Sequence, residues 1–411
     1  MGGAGAKQLW RLSFERLDLT LADHKVKVLG AGIGGLAAAT ALARVGADVT
    51  ILEQADKISE VGAGLQISPN GAVVLQSLGL GDAIRKTAVR AKAVQLRDFR
   101  AGKPVFELDL TRQDKPQHYY FLHRADLVEM LAGAARDAGV KIRLLQCVSE
   151  VSFSDKGRAR LKTAQGATLK SDILIGADGV NSPTRIALNG VSQPFFTRQV
   201  AWRAVVPALG NEPAIATVYM GPGRHLVCYP LRGGKMINIV AVEERRDWAA
   251  EVWNHPDDPA NLRAAFAGFC PEVQVLLERV ETLHLWGLFR HRVAPKWFKN
   301  RTAILGDAAH PTLPFMAQGA SMALEDAWTL ADSLQNSTEV ETGLAAYQNR
   351  RHARATRVIN AASKNARNYH LRLEPLRFAA HTALRLTSHI APDMALRKFD
   401  WLYGYDVTKS S

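Results

Sequence analysis

An α/β fold built in two lobes is expected for this 411-residue chain: a parallel βαβ domain, an antiparallel sheet inserted into it, and a closing set of helices. Three observations lead there. A glycine-rich turn joins an apolar strand to an alanine-rich helix within the first fifty residues. Short apolar strands replace that pattern from about Gln193 to Phe289. A strand-then-turn segment in the style of the first lobe returns at Thr302–Asp307. A chain of this length is too long for one ordinary core.

The elements follow in order. Residues 1–24 begin with a Gly/Ala run and then mix charges with Leu, Trp and Phe, without the apolar stretch of a signal peptide. They are read as an N-terminal extension in which Trp10–Leu19 is compatible with a short helix. Val26–Leu29 is a buried strand, and Gly30–Arg44 is a glycine turn entering a helix that Gly46 caps. Val49–Glu53 completes a βαβ unit. Arg124–Ala138 reads as helix, Val140–Leu144 as strand, and Ile173–Ile175 as a strand running into Gly176-Ala177-Asp178-Gly179. The first lobe is assigned to residues 25–190 and the inserted sheet to 191–290. Strands are expected there at Gln199–Val206, Ala216–Met220, His225–Tyr229 and Met236–Val242, the last two joined by a turn at Arg232–Lys235. Residues 291–340 return to the first lobe, with a helix over 319–334. Residues 341–411 are mostly helical, and their arginine-rich stretch is expected to be a solvated face.

Composition narrows the function. With 47% hydrophobic and 22% charged residues, wholesale disorder is excluded. The formal charge of +13 is dispersed, and no zinc-finger or other nucleic-acid signature accompanies it. No nucleic-acid partner is expected, and the charge suits anionic small molecules. Cys147, Cys228 and Cys270 are far apart and form no CxxC pair. No disulfide, metal site or redox dithiol is expected, in keeping with a reducing cytoplasm. No apolar run reaches membrane-spanning length.

Gly30-x-Gly32-x-x-Gly35 sits between a strand and a helix, as in a Rossmann-like dinucleotide site. The first glycine permits the tight turn, the second lets the backbone approach a pyrophosphate, and the third lets helix and strand pack closely. The helix N-terminus presents unpaired N–H groups to phosphate. Glu53, about twenty residues on, ends the next strand where an acid can bond a ribose hydroxyl. This fingerprint alone does not separate NAD from FAD.

Four later segments do. Arg301–Pro311 with Gly306-Asp307, Met316–Ala327, Ile175–Ser182 with Asp178-Gly179, and Leu122–Leu127 with Arg124 resemble the single-component FAD-dependent aromatic hydroxylases. That group includes salicylate, 3-hydroxybenzoate and 6-hydroxynicotinate hydroxylases. Gly62–Gly71, containing Gln66, resembles the family's loop beside the isoalloxazine ring. The likeness runs in order from about residue 26 to Tyr405. It implies FAD as cofactor, with Asp307 on the ribityl chain or its neighbouring ribose, Arg124 on the phosphates, and the helix after Gly319 facing the flavin pyrimidine. The remaining positions it assigns to FAD are Ile33, Gly34, Gln54, Gln66, Val148, Asp178, Pro314 and Ala320. It also implies NADH or NADPH as a transient co-substrate, since the chain carries one dinucleotide fingerprint. Reduced flavin would take up O2 as a C4a-hydroperoxide and oxygenate a small aromatic ring. A monomer or homodimer is expected. Two positions depart from relatives: Pro314 replaces a polar residue found in some, and Gln66 stands where the 6-hydroxynicotinate enzyme has histidine.

His225 is the candidate base. Deprotonating a phenol makes its ring carbons more nucleophilic, and a histidine suits that task near neutral pH. Strand period two puts His225, Val227 and Tyr229 on one face, the two polar residues roughly 13 Å apart. The pairing resembles the His and Tyr substrate contacts of 3-hydroxybenzoate and 6-hydroxynicotinate hydroxylases. His310 is read as structural, and Phe315, Met316 and Trp202 as pocket wall or core. Competing readings are a urate-type hydroxylase, a halogenase, a reductase and a non-catalytic flavin-binding protein. Ala201–Pro207 has one tryptophan where a halogenase would show Trp-x-Trp-x-Ile-Pro.

Overall fold

The computed structural model describes residues 21–58, 63–112, 118–245, 255–390 and 392–409. The helix expected at Trp10–Leu19 lies outside them, as does Gly62 of the expected flavin loop. The first lobe is built on a six-stranded sheet ordered Phe298–Lys299, Thr302–Ile304, Ile173–Gly176, Lys25–Leu29, Asp48–Leu52, Lys141–Arg143. All its pairings are parallel except the one made by Phe298–Lys299. The helix Ile33–Arg44 packs against the helices Arg124–Asp137 and Gly319–Gln335. Strands such as Ile173–Gly176 are buried at every position, as a covered parallel sheet requires. A small antiparallel sheet, Val148–Phe153, Ala159–Thr163 and Thr168–Lys170, packs Val151 and Leu161 onto Leu29 and Leu52.

The second lobe is an eight-stranded sheet ordered His255–Pro256, His284–Arg290, Phe195–Pro207, Met236–Glu244, Arg224–Leu231, Ile215–Gly221, Ala93–Asp98, Pro104–Asp109. The four expected strands are present with longer ends. The division at residue 190 does not follow the sheet, because residues 93–109 supply its last two strands. Ala93–Asp98 joins by parallel pairing with Ile215–Gly221, a contact spanning more than a hundred residues. Alternation within a segment shows that it is a strand but not which partner it takes. The helices Pro259–Ala265 and Pro271–Glu278 cover one face of this sheet, burying Trp202, Phe266, Phe269 and Leu277. Its other face turns toward the first lobe.

The arginine-rich helix Val340–Tyr369 corrects an expectation. Arg351 is fully buried rather than solvated. Its Nε donates to Asp326 Oδ1 at 2.7 Å and its Nη1 to Glu325, both carboxylates also fully buried. Two carboxylates enclosed by the fold need a cation beside them, and this helix supplies it.

Candidate active site

Between the two large sheets lies a cavity of about 450 Å³. One end is the glycine turn, Gly32 to Gly34. The middle holds Arg124, Asp307 and the loop and helix start from Pro311 to Ala320. The far side is the second sheet, presenting Arg203, His225, Val227 and Tyr229.

At the turn, Gly30 adopts φ +96°, and a Cβ there would stand 2.5 Å from the Ala177 carbonyl oxygen. A Cβ on Gly35 would meet the Gly30 carbonyl oxygen at 2.0 Å. These two glycines are packing necessities. Gly32 is different: a Cβ there meets nothing within 4 Å. It heads the twelve-residue helix Ile33–Arg44 with no side-chain cap, so the first amides face open space. Glu53 braces the turn, accepting from the Ala31 N–H at 2.6 Å and the Ala55 N–H at 2.9 Å. Its carboxylate keeps further lone pairs for a ligand hydroxyl.

Asp307 is exposed on the cavity. The protein around the cavity limits hydration of its carboxyl and raises it above the usual range, while His310 and Arg124 pull it down. A buried network holds the loops around it. Asp326 accepts from the Gly306 N–H at 3.0 Å and bonds His310, whose ring packs at a tilt against Trp297. Asn70 Nδ2 donates to Glu325 at 2.6 Å and to Gln318 at 3.1 Å, and Gln318 Nε2 donates to Ser68 Oγ at 2.9 Å. The Gly306–Asp307 turn and the start of the helix Gly319–Gln335 are thus pinned to one set of charges. His310 does not line the cavity.

On the sheet side, His225, Val227 and Tyr229 all face the cavity, while Leu226 and Cys228 turn into the opposite core. The expected two-residue period holds. His225 is 2% exposed and packs against Phe315 and Tyr369, ring centres 5.7 and 5.3 Å away. Burial, helped by the neighbouring His370, holds its imidazole well below the usual histidine range. Burial pushes the Tyr229 hydroxyl up, against the pull of Arg203 and hydrogen bonds to Gln66 and Asn238. Gln66 lines the cavity and also accepts from the Tyr119 hydroxyl at 2.7 Å.

Other expected site residues are placed elsewhere. Gly30, Gly35, Glu53, Gln54, Val148 and Asp178 do not line the cavity. Val148 packs at the carboxyl ends of the parallel strands beside Leu29 and Leu52, and Gln54 is exposed near them. The Asp178 carboxylate is engaged by Ser182 and by the Thr184 N–H and hydroxyl, so the residue organises the following helix. Its neighbours Ala177, Gly179 and Val180 reach the cavity. Trp202 is not a pocket wall: it is fully buried in the opposite core and donates to Asp257 at 2.7 Å.

Arg203 joins the site without having been among the residues expected there. It faces the cavity with its guanidinium 4.2 Å from the centre of the Trp286 ring. The signal was available, since strand alternation places Arg203 opposite any core-facing Trp202. His291 and Tyr369 also line the cavity and carried no local signal.

These parts fit a flavin dinucleotide. The cradle at Gly32 would be filled by a side chain, the free amides suit a pyrophosphate, and Glu53 and Asp307 offer acceptors to sugar hydroxyls. Fold and site together define an FAD-binding flavoprotein. Residues 23–362 match the family model described as FAD binding domain, and the chain belongs to that family. It is 34% identical to 3-hydroxybenzoate 6-hydroxylase of Polaromonas naphthalenivorans, over 94% of this chain and 97% of that one. It is 33% identical to 3-amino-4-hydroxybenzoate 2-monooxygenase PtnB3 of Streptomyces platensis, over 93% and 96%. A point variant of Klebsiella pneumoniae HpxO, solved in complex with FAD, superposes with a TM-score of 0.81 at 26% identity, covering 92% of this chain and 98% of that one. The chain is an FAD-dependent monooxygenase of the aromatic hydroxylase type.

Proposed function

We propose that this flavoprotein uses NADH or NADPH and O2 to hydroxylate a small phenolic or heteroaromatic compound of the hydroxybenzoate class, with His225 as base. The observation that carries this reading is that His225 and Tyr229 share one strand face and line the same cavity as Pro314–Ala320. FAD, when bound, supplies the reduction and oxygen chemistry. The chain's own residues would do the rest. Gly32–Gly34, Glu53, Arg124 and Asp307 would hold the cofactor, with the amides of Gly319 and Ala320 at the flavin end, where a helix N-terminus favours negative charge.

The lowered basicity of His225 keeps it neutral at pH 7, so it is ready to accept a phenolic proton. Tyr229 keeps its proton and would orient the substrate by hydrogen bonding. Arg203 supplies a cation for a carboxylate or phenolate. Val227, Val240, Val242, Leu288 and Phe315 give the cavity an apolar wall that limits water around the reacting ring. Free Cys147, Cys228 and Cys270 support placement in a reducing cytoplasm. Among the described residues no helix is long and apolar enough to cross a membrane.

The test is NADH and NADPH oxidation by purified holoenzyme across phenolic acids and heterocycles, with product mass in parallel. A compound that accelerates oxidation and gains one oxygen establishes the substrate. Acceleration without added oxygen marks an uncoupling effector. Silence across the panel, with FAD bound, refutes the substrate class.

A further inference from the structure

Behind His225 lies a set of polar groups that this scheme leaves unused. His370, just after the helix Val340–Tyr369, is 4% exposed. Its Nε2 stands 2.6 Å from Nδ1 of His225, and its Nδ1 stands 2.9 Å from Oε1 of Glu244. The other Glu244 oxygen accepts from Arg372 Nη2 at 2.6 Å. The Glu244 side chain is 30% exposed and that of Arg372 is 67% exposed, so the line begins at the cavity and ends in solvent. The adjacent paired strands Arg224–Leu231 and Met236–Glu244 meet the sequence-distant turn after the long helix to make it.

Hydrogen-bond bookkeeping sets the protons. A Glu244 carboxylate accepts, so His370 Nδ1 carries the hydrogen. The Nε2 of neutral His370 then accepts from Nδ1–H of His225, which leaves Nε2 of His225 as the bare base. Burial tends to raise the Glu244 carboxyl, but hydrogen bonds from Arg372 and His370 hold it below the usual range. Burial lowers His370 against the opposing pull of Glu244. The surrounding charged and polar groups are Gln199, 3.5 Å from His370 Nδ1, Arg224, which also lowers His370, and Glu243, which pairs with Arg224 and Arg245.

We propose that His225, His370 and Glu244 form a proton relay that carries the substrate's phenolic proton from the cavity to the surface. The proposal rests on the reading of His225 as base. The substrate O–H breaks as an N–H forms at His225 Nε2. The His225 Nδ1–H breaks as an N–H forms at His370 Nε2. The His370 Nδ1–H breaks as an O–H forms at Glu244, which passes its proton to water. No electrons change hands, and both imidazoles finish neutral. Returning a proton along the same line to the product phenolate restores the starting tautomers. The relay answers a physical difficulty: an enclosed imidazolium is costly, so a base as buried as His225 needs an outlet. His370 and Glu244 are positioning residues that act through His225.

The test uses holoenzyme and a nitro-substituted hydroxybenzoate, whose phenolate absorbs visible light. Stopped-flow mixing below the free probe's pKa reads the rate of phenolate formation in H2O and D2O. E244Q and H370Q should slow it roughly tenfold or more, with probe affinity and FAD content held within about twofold. E244D should recover most of the rate. A hydroxylating wild type whose two variants keep its rate and its solvent isotope effect would overturn the relay alone. A wild type that neither binds the probe nor oxidises NADH faster with any phenol would overturn the reading of His225, and the relay with it.

Discussion

Replacing Gly32 and Gly35 singly by alanine separates two jobs that one motif performs. A methyl on Gly35 would sit 2.0 Å from the Gly30 carbonyl oxygen, 3.1 Å from its carbon and 3.2 Å from the Ala177 side chain. Two of these three are backbone atoms of the strand-to-helix turn, so no flexible side chain can swing away. Overpacking of a tight core costs about 1–3 kcal/mol, and a backbone clash belongs at or above the upper end. A methyl on Gly32 meets no protein atom within 4 Å, and its φ of −76° suits alanine. Its protein-side cost is the poorer helix cap, about 1 kcal/mol or less. That methyl instead occupies the space a pyrophosphate would enter. G32A should therefore weaken FAD roughly tenfold or more, equivalent to about 1.4 kcal/mol, and leave the FAD-free protein nearly as stable as wild type. G35A should lower the stability of the FAD-free protein itself. The assays are urea unfolding of flavin-stripped protein and titration with FAD followed by flavin fluorescence. Wild-type FAD affinity in G32A would refute the assignment of this turn to the pyrophosphate. Unchanged stability in G35A would refute the packing argument.

Removing the Arg351 charge leaves buried Glu325 and Asp326 without a shared partner, so R351M should cost about 3–5 kcal/mol in chemical denaturation. Asp326 is enclosed, but His310 and Arg351 bring it down to about 2 from 3.8. A depressed carboxyl stabilises the fold above its unfolded pKa and loses that contribution as pH falls from about 4 toward 2. Unfolding midpoints of D326N should accordingly be flatter than wild type across that window. H225N should lower kcat about 10²-fold or more at neutral pH, and the deficit should shrink as pH rises and the free phenol ionises, whereas a purely structural role predicts no such recovery. R203M should raise KM for an aromatic acid roughly tenfold and leave its uncharged amide analogue within about twofold, measured by initial rates of NADH oxidation.

Much of the first lobe was legible because its signals are local. The run from Val26 to Glu53 states its strands, glycine turn, helix and C-cap within thirty residues, and the structure has each of them. The face shared by His225, Val227 and Tyr229 was legible for the same reason, since strand alternation needs no distant partner. Pairing was not. Residues 93–109 read as part of the first lobe, yet Ala93–Asp98 lies against Ile215–Gly221 in the other sheet. The arginines of Val340–Tyr369 looked solvated because nothing near Arg351 in sequence announces Glu325 and Asp326 as its partners. His370, 145 residues from His225, carried no signal at all.

Local order in the chain thus sets the cofactor turn, the strand faces and the kinds of chemistry available. Folding alone brings His225, His370 and Glu244 into one line and encloses Arg351 between two carboxylates. Hydrogen bonds and ion pairs depend on distances of a few ångströms, which sequence separation does not encode.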